Sequence, residues 1–228
     1  GFKSEARKHI ARRPDLKIVA ITGSYGKTSV KFAVQEVLSQ RFPSLATPGS
    51  FNTPMGICKV INADLSDEHQ YAILEMGMRH PGDIAELCSI ARPNIAIVTS
   101  VGHAHLEYMG SIDAIAKEKA SLLSFLQPEG IAILNADDER VLKMKEGLDC
   151  TVLTVSTISS TADIWANEIS FGPDGASFMV HAGADSHPFS TKLLGKHNVL
   201  NTLLAVAVGH TAGMTLRKMS HAIARLEP

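Results

Sequence analysis

The segment Leu16-Lys-Ile-Val-Ala-Ile-Thr22-Gly23-Ser24-Tyr25-Gly26-Lys27-Thr28-Ser29-Val30 constrains the fold more than any other stretch of the chain. An apolar run of strand length passes through a glycine turn and a Gly-Lys-Thr into a helical pattern, which is the pattern of a phosphate-binding loop. In such a loop the backbone N–H groups of the turn and of the helix N-terminus face an anion. The Lys27 ammonium reaches the terminal phosphates, and the Thr28 hydroxyl can ligate Mg²⁺. Gly23, Ser24, Tyr25, Gly26, Lys27, Thr28 and Ser29 are therefore candidate phosphate-binding residues, and the chain reads as a user of nucleoside triphosphates. The common form of the loop has a glycine where Ile21 stands here, so Gly23 must supply the tight turn by itself.

Apolar runs over Lys17–Thr22, Tyr71–Met76, Ile95–Ser100 and Ile131–Asn135 alternate with helical patterns over Lys27–Gln40, Pro81–Ile90 and Ser111–Leu126. This alternation predicts an α/β fold, a mostly parallel sheet with helices on both faces. From Thr151 to Leu194 the texture changes to short alternating segments, Glu168–Phe171 and Ser177–His181, broken by Gly172-Pro-Asp-Gly175 and Gly183-Ala-Asp. A small antiparallel β subdomain is expected there. Helical periodicity returns in Asn198–Gly209 and Thr215–Ile223.

Composition excludes several classes of function. A chain of 228 residues with 45% apolar and 20% charged residues is globular and long enough for a substantial core. A formal net charge of −1, with no basic stripe interleaved with aromatics, argues against a nucleic-acid partner. Cys58, Cys88 and Cys150 are widely spaced and form no C-x-x-C, so neither a disulfide framework nor a thiolate zinc site is indicated, and a reducing cytoplasm fits. No run approaches the ~20 apolar residues of a membrane span. The basic opening Lys3-Ser-Glu-Ala-Arg7-Lys8-His9-Ile-Ala-Arg12-Arg13 reads first as a solvated helix entering the first strand. The alternative sets it against acidic lipid at the inner membrane face, or behind a missing upstream segment.

In open parallel sheets ligands gather beyond the carboxyl ends of the strands. Those ends are polar here: the phosphate loop, Glu75-Met-Gly77-Met-Arg79-His80, Thr99-Ser-Val-Gly-His103-Ala-His105 and Asn135-Ala-Asp137-Asp138. The four should converge on one cleft. Glu75 closes a buried strand, where a carboxylate is costly without a partner, and it stands where a metal-side carboxylate belongs opposite Thr28. A surface carboxylate at a strand end is the plainer reading. His103 and His105 would point the same way in an extended segment. A zinc site is the sharp alternative for that pair, but no third ligand has recognisable spacing, and His103 reads as a loop histidine.

The segment His105-Leu-Glu107-Tyr-Met-Gly110-Ser-Ile-Asp-Ala-Ile-Ala-Lys117-Glu-Lys119, taken with Thr22–Thr28 and Glu75, strongly resembles the central ATP-binding domain of the Mur ligase family. Further matches are Asn52-Thr53-Pro54-Met55-Gly56 to the family's Asn-rich substrate-side loop, Leu134-Asn135-Ala-Asp137-Asp138 to its strand-end motif, and Gly195-Lys-His197-Asn198-Val-Leu-Asn201 to its Gly-x-His-Asn-x-x-Asn stretch. Glu75-x-Gly77-x-x-His80 and His105-Leu-Glu107-x-x-Gly-Ser are most similar to the branch that adds D-alanyl-D-alanine. That branch usually shows Gly-Ala-Asn-His where this chain has Gly77-Met-Arg79-His80, and a second Asn where Thr53 stands.

The resemblance implies roles. Lys27 and the Gly23–Gly26 loop would hold the ATP phosphates, Thr28 and Glu75 a first Mg²⁺, and His105 a second. Lys119, with Lys117 as its near neighbour, matches a lysine that family members carbamylate to help hold that second ion. A solvated helix lysine paired with a nearby glutamate is the ordinary reading of Lys119. Lys27, Lys119 and His105 are the implied catalytic residues. Asn52, Thr53 and His80 fall on the substrate side. Asn135, His197, Asn198 and Asn201 look like adenine- or ribose-side contacts, although Asn198 also reads as a helix cap.

The family's chemistry, so implied, is amide formation in cytoplasmic cell-wall precursor synthesis. A carboxylate attacks the γ-phosphate of ATP to give an acyl phosphate and ADP, and an amine then displaces phosphate. The partners would be ATP, a UDP-muramoyl peptide and an amino acid or dipeptide. Residues 1–228 would be the central domain, with a substrate-binding N-terminal domain and a closing C-terminal domain outside this chain, and would turn over little by themselves. The competing readings are a folylpolyglutamate synthase-like ligase, a generic phosphate-loop ATPase or kinase, and a nucleotide-dependent interaction module without catalysis.

Overall fold

The computed structural model describes residues 1–227. Helix α1 (Phe2–Ala11) leads into β1 (Lys17–Thr22), α2 (Lys27–Leu38), β2 (Ser44–Ala46), α3 (Pro54–Asp64), β3 (Tyr71–Glu75), α4 (Asp83–Ile90) and β4 (Ile95–Val98). Then come α5 (Leu106–Met109), α6 (Ile112–Ser121), a 3₁₀ turn, β5 (Ile131–Asn135), α7 (Glu139–Lys143) and β6 (Thr151–Ser156). Strands β7 (Ile164–Gly172), β8 (Gly175–Ala182) and β9 (Asp185–Thr191) precede α8 (Lys196–Thr211) and α9 (Leu216–Ile223).

All nine strands of the described residues belong to one sheet, in the order β2-β3-β1-β4-β5-β6-β7-β8-β9. Pairing is parallel from β2 to β7 and antiparallel from β7 to β9. The antiparallel part is therefore continuous with the parallel part. The join is short, Val155 against Ile164 and Ser156 against Trp165. The parallel sheet also runs further than the change of texture at Thr151 suggests, because β6 pairs along its length with β5.

Side-chain alternation along the strands divides the core in two. Val19 and Ile21 of β1, Tyr71 and Ile73 of β3, and Ile95 and Ile97 of β4 face α2, α8 and α9. Ile18 and Ala20, Ala72 and Leu74, and Ala96 and Val98 face α1, α3, α4 and α6. Both faces are buried, so the strands read as continuous apolar runs.

Helix starts are set by local chemistry. Thr53 Oγ1 accepts from Gly56 N at 3.2 Å and Ser111 Oγ from Ala114 N at 3.1 Å, and Asp138 Oδ1 accepts from Arg140 N at 3.0 Å. Each satisfies an N–H that the helix itself cannot. The basic N-terminal segment forms α1 and docks: Ala6 is buried, Arg7 Nη2 donates to Ser89 Oγ at 2.9 Å, and Lys3 pairs with Glu86.

Helices α2, α8 and α9 meet at Gly209, where an added Cβ would fall 2.3 Å from Met219 Sδ and 2.7 Å from Val37 Cγ1. Alanine is the better helix former by about 1 kcal/mol, but overpacking a dense core costs about 1–3 kcal/mol. Gly209→Ala is expected to lower the midpoint of urea unfolding despite its helix propensity; an unchanged or raised midpoint would contradict this packing.

Candidate active site

The carboxyl ends of β1, β3 and β4 sit side by side because β1 lies between its two parallel neighbours. Thr22 pairs with Val98 and Ile21 with Glu75. The phosphate loop, the Glu75 end and the 99–105 segment are thereby brought to one edge, as expected for open parallel sheets.

The loop is braced by the segment that follows β4. Ser24 N donates to Ser100 O at 2.9 Å, Tyr25 N to Ser100 Oγ at 3.0 Å, and Gly102 N to Ser24 Oγ at 2.8 Å. Gly23, at φ +154°, presses on Thr99, and Gly26, at φ +82°, would place a Cβ 2.8 Å from Asn201 Oδ1. The turn therefore needs glycine at both positions. Gly26 opens α2, so the first-turn N–H groups of Lys27, Thr28 and Ser29 are the ones a helix leaves unbonded. Lys27 Nζ donates to Gly23 O at 2.8 Å, folding over its own loop.

Glu75 is 1% exposed. Its Oε2 accepts from Thr28 Oγ1 at 2.9 Å and lies 3.5 Å from Lys31 Nζ, and its Oε1 accepts from Asn52 Nδ2 at 3.0 Å. The plainer reading of Glu75 as a surface carboxylate does not hold, and its pairing with Thr28 does. Lys31 is fully buried. Sequence reasoning passed over it, yet a signal existed: Lys31 is one turn beyond Lys27 and next to Val30 on the buried face of α2, where an unpaired ammonium is not tolerated.

Beyond Lys27 opens a cavity of about 340 Å³ lined by Lys27, Asn52, Arg79, His80, His105 and Lys119 among others. Lys119 is 1% exposed. It is not a solvated lysine paired with its neighbour, because Glu118 spends its carboxylate on Gly82 N at 3.0 Å and Ile84 N at 2.9 Å. Those bonds fix the start of α4 and hence the Arg79-His80 turn. Sequence reasoning missed Glu118 also.

His105 has a left-handed backbone, φ 68°, immediately before α5. The 103–105 segment is a turn, Leu106 N donating to His103 O at 3.1 Å, so the two histidines do not share the orientation of an extended strand. His105 lines the cavity, and His103 is exposed. Among the described residues no three His, Cys, Asp or Glu side chains are grouped to hold a metal ion.

The cavity is rich in cations. Burial pulls down the Lys27 ammonium, with Glu75 opposing. Burial also lowers His105, helped by Lys119, Lys27 and Arg79. Lys119 falls furthest, to about 7, through burial first and the Lys27 charge second, with Glu118 opposing. Cations whose charges lower His105 and Lys119 in this way favour a polyanion between them.

The remaining candidates are placed differently. Thr53 caps α3, a role that asparagine fills as readily. His80 lies edge-on to Tyr108 with centroids 5.6 Å apart and lines the cavity. Asn135 is 4% exposed and committed internally, Nδ2 donating to Thr99 O at 2.8 Å and Oδ1 accepting from Asp137 N at 2.8 Å. Asn201 packs beneath Gly26, its Nδ2 3.3 Å from Asn198 Oδ1, and Asn198 Nδ2 donates to Leu194 O at 2.8 Å. Gly195, not Asn198, is the N-cap of α8, and His197 at the helix start is exposed.

Fold and site together define a phosphate-binding α/β domain whose loop opens on a cationic cavity. The family model described as the Mur ligase middle domain matches residues 21–209, and the chain belongs to the Mur ligase family. It is 35% identical over 212 residues to the UDP-N-acetylmuramoyl-tripeptide--D-alanyl-D-alanine ligase of Escherichia coli (strain K12), covering 92% of this chain and 47% of that protein. Among solved structures it is similar to MurF from Acinetobacter baumannii, with TM-score 0.93 and 28% identity over 100% of this chain and 49% of that one. It is also similar to MurF ligase from Thermotoga maritima in complex with ADP, with TM-score 0.88 and 26% identity over 100% of this chain and 52% of that one. The chain spans about half the length of the curated relatives it matches.

The depressed Lys119 has a consequence for stability. In the unfolded chain its amine returns to the ordinary 10.5, so between about 7 and 10.5 the unfolded state binds more protons than the folded one. Stability contributed through this group rises with pH across that window, and its penalty is fully present below it. Lys119→Met is therefore expected to be more stable than the parent below pH 7, with the advantage shrinking as pH rises, in chemical denaturation at a series of pH values. A pH-independent difference would contradict the assignment.

Proposed function

We propose that this chain is the ATP-binding domain of a ligase that joins D-alanyl-D-alanine to a UDP-muramoyl-tripeptide in cytoplasmic cell-wall precursor synthesis. The observation that carries the reading is the single cavity onto which Lys27, His105 and Lys119 face beside the Asn52 segment. Likeness to named ligases of that specificity over more than nine-tenths of the chain supports it.

The chemistry follows from charge. A carboxylate and a triphosphate are both anions, and the first step must bring them together. The peptide carboxylate attacks the γ-phosphorus, the bond to the ADP oxygen breaks, and an acyl phosphate forms. The D-alanyl-D-alanine amine then adds to the acyl carbon and expels inorganic phosphate, losing a proton and leaving an amide. The first-turn amides of Lys27, Thr28 and Ser29 and the Lys27 ammonium hold and neutralise the phosphates. Lys27 must leave the Gly23 carbonyl to do so. Asn52, Thr53 and His80 line the acceptor side of the same cavity.

Thr28 and Glu75 offer hard oxygen donors 2.9 Å apart beside the loop, which fits Mg²⁺. A second cation at His105 fits only with a carbamylated Lys119, since an ammonium would repel it. An amine brought to about 7 supplies the neutral nucleophile that carbamylation needs: its lone pair adds to CO₂ and an N–H proton is lost to water. Bound Mg²⁺ would add charge neutralisation at the phosphates. Among the described residues no helix is long and apolar enough to cross a membrane.

The test is phosphate release by the whole protein given ATP, Mg²⁺, UDP-muramoyl-tripeptide and D-alanyl-D-alanine. Release should require both substrates and fall by about 100-fold or more in Lys27→Ala. ATP hydrolysis indifferent to both substrates would replace this reading with that of a generic ATPase.

A further inference from the structure

We propose that Lys31 is a positioning residue that couples the nucleotide site to segment 47–53, and through Asn52 to the acceptor side of the cavity. The proposal rests on the ligase reading only in taking a nucleotide and its cation to bind at Thr28 and Glu75.

Segment 47–53 joins β2 to α3 and is solvent-exposed over most of its length. Its anchors are few. Thr47 N donates to Ile73 O at 3.2 Å at one end, and Gly77 N donates to Asn52 O at 2.9 Å at the other. Between them the Lys31 ammonium donates to the Gly49 carbonyl, and Asn52 Nδ2 donates to Glu75 at 3.0 Å. A segment held by so few contacts belongs to the low-stability end of a protein, where a single tether decides how often it opens.

Lys31 joins this tether to the nucleotide site. Its ammonium is shared between Gly49 O and Glu75 Oε2, and that same Oε2 accepts from Thr28. A cation taken up by Thr28 and Glu75 draws on Oε2. The share of Lys31 that Oε2 holds then weakens, and the Gly49 carbonyl becomes the main acceptor of a fully buried ammonium. Such an ammonium is costly to leave unpaired. Occupancy of the phosphate loop therefore tightens the segment that carries Phe51 and Asn52. A methionine at this position keeps the length and helix propensity of the side chain and abolishes both contacts; a merely structural lysine would hold the segment equally with and without nucleotide.

Hydrogen exchange of the 49–53 amides in the whole protein, with and without Mg²⁺ and ADP, reads the coupling directly. In the parent, Mg²⁺ with ADP should slow exchange of this segment by about tenfold or more. Lys31→Met should lose that slowing while calorimetry still detects the nucleotide, and Lys31→Arg should restore part of it. Slowing that persists in Lys31→Met, or none in a parent that binds the nucleotide, overturns the coupling alone. A parent that binds no Mg²⁺ and ADP overturns the nucleotide reading and the coupling together. Should Lys31→Met not fold, Asn52→Ala carries the test: its basal exchange rises, but with Lys31 intact the nucleotide-linked slowing at Gly49–Phe51 remains, and its disappearance would count against Lys31 as the link.

Discussion

The Glu75 carboxylate is the charge on which the site depends. At 1% exposure it has given up nearly all its water, and donors from α2 and from the 47–53 segment replace that hydration. Removing one partner of a buried pair of this kind costs about 3–5 kcal/mol, because the other is left buried and uncompensated. The first turn of α2 and the Asn52 segment are thus both tied to the end of β3 through a single group. Those ties set the mouth of the cavity.

Around this carboxylate the balance of charge is deliberate in its direction. Lys31 is matched within the fold, whereas Lys27, Lys119, His105 and Arg79 face one space, where the Lys27 charge lowers both Lys119 and His105. Repulsion among them costs stability, and a polyanion between them offsets it. The proposed phosphoryl transfer to a carboxylate asks for this arrangement, since positioning and charge neutralisation are nearly all a protein contributes there. The brace between the phosphate loop and Ser100–Gly102 holds the backbone of the loop in place.

Much of this was legible in the residues. Strands β1 and β5 occupy Lys17–Thr22 and Ile131–Asn135 as their apolar runs predict, because both faces of those strands are covered and no polar residue interrupts them. Thr28 and Glu75 meet as expected for the same topological reason. Helix α3 was not legible as a helix: Pro54 and Gly56 open it, and a sequence reader sees a loop where Thr53 is capping a helix. The continuity of the hairpins with the parallel sheet was equally hidden, since it rests on the short Val155 and Ser156 pairing. Asn135 illustrates the opposite failure, a polar strand end whose amide the backbone consumes. Lys31 and Glu118 escaped notice because a charged residue on a helix is read as solvent-facing unless its partners are known, and their partners are 44 and 36 residues away in sequence.

In the proposed reaction this cavity brings a substrate carboxylate to a phosphate and makes an acyl phosphate. Its most direct test uses the whole protein and UDP-muramoyl-tripeptide labelled with ¹⁸O in the acceptor carboxylate, with ATP and D-alanyl-D-alanine. Mass analysis of the inorganic phosphate should find one labelled oxygen per amide formed, because the carboxylate oxygen that attacks phosphorus leaves with it. Amide formation with unlabelled phosphate would contradict the account.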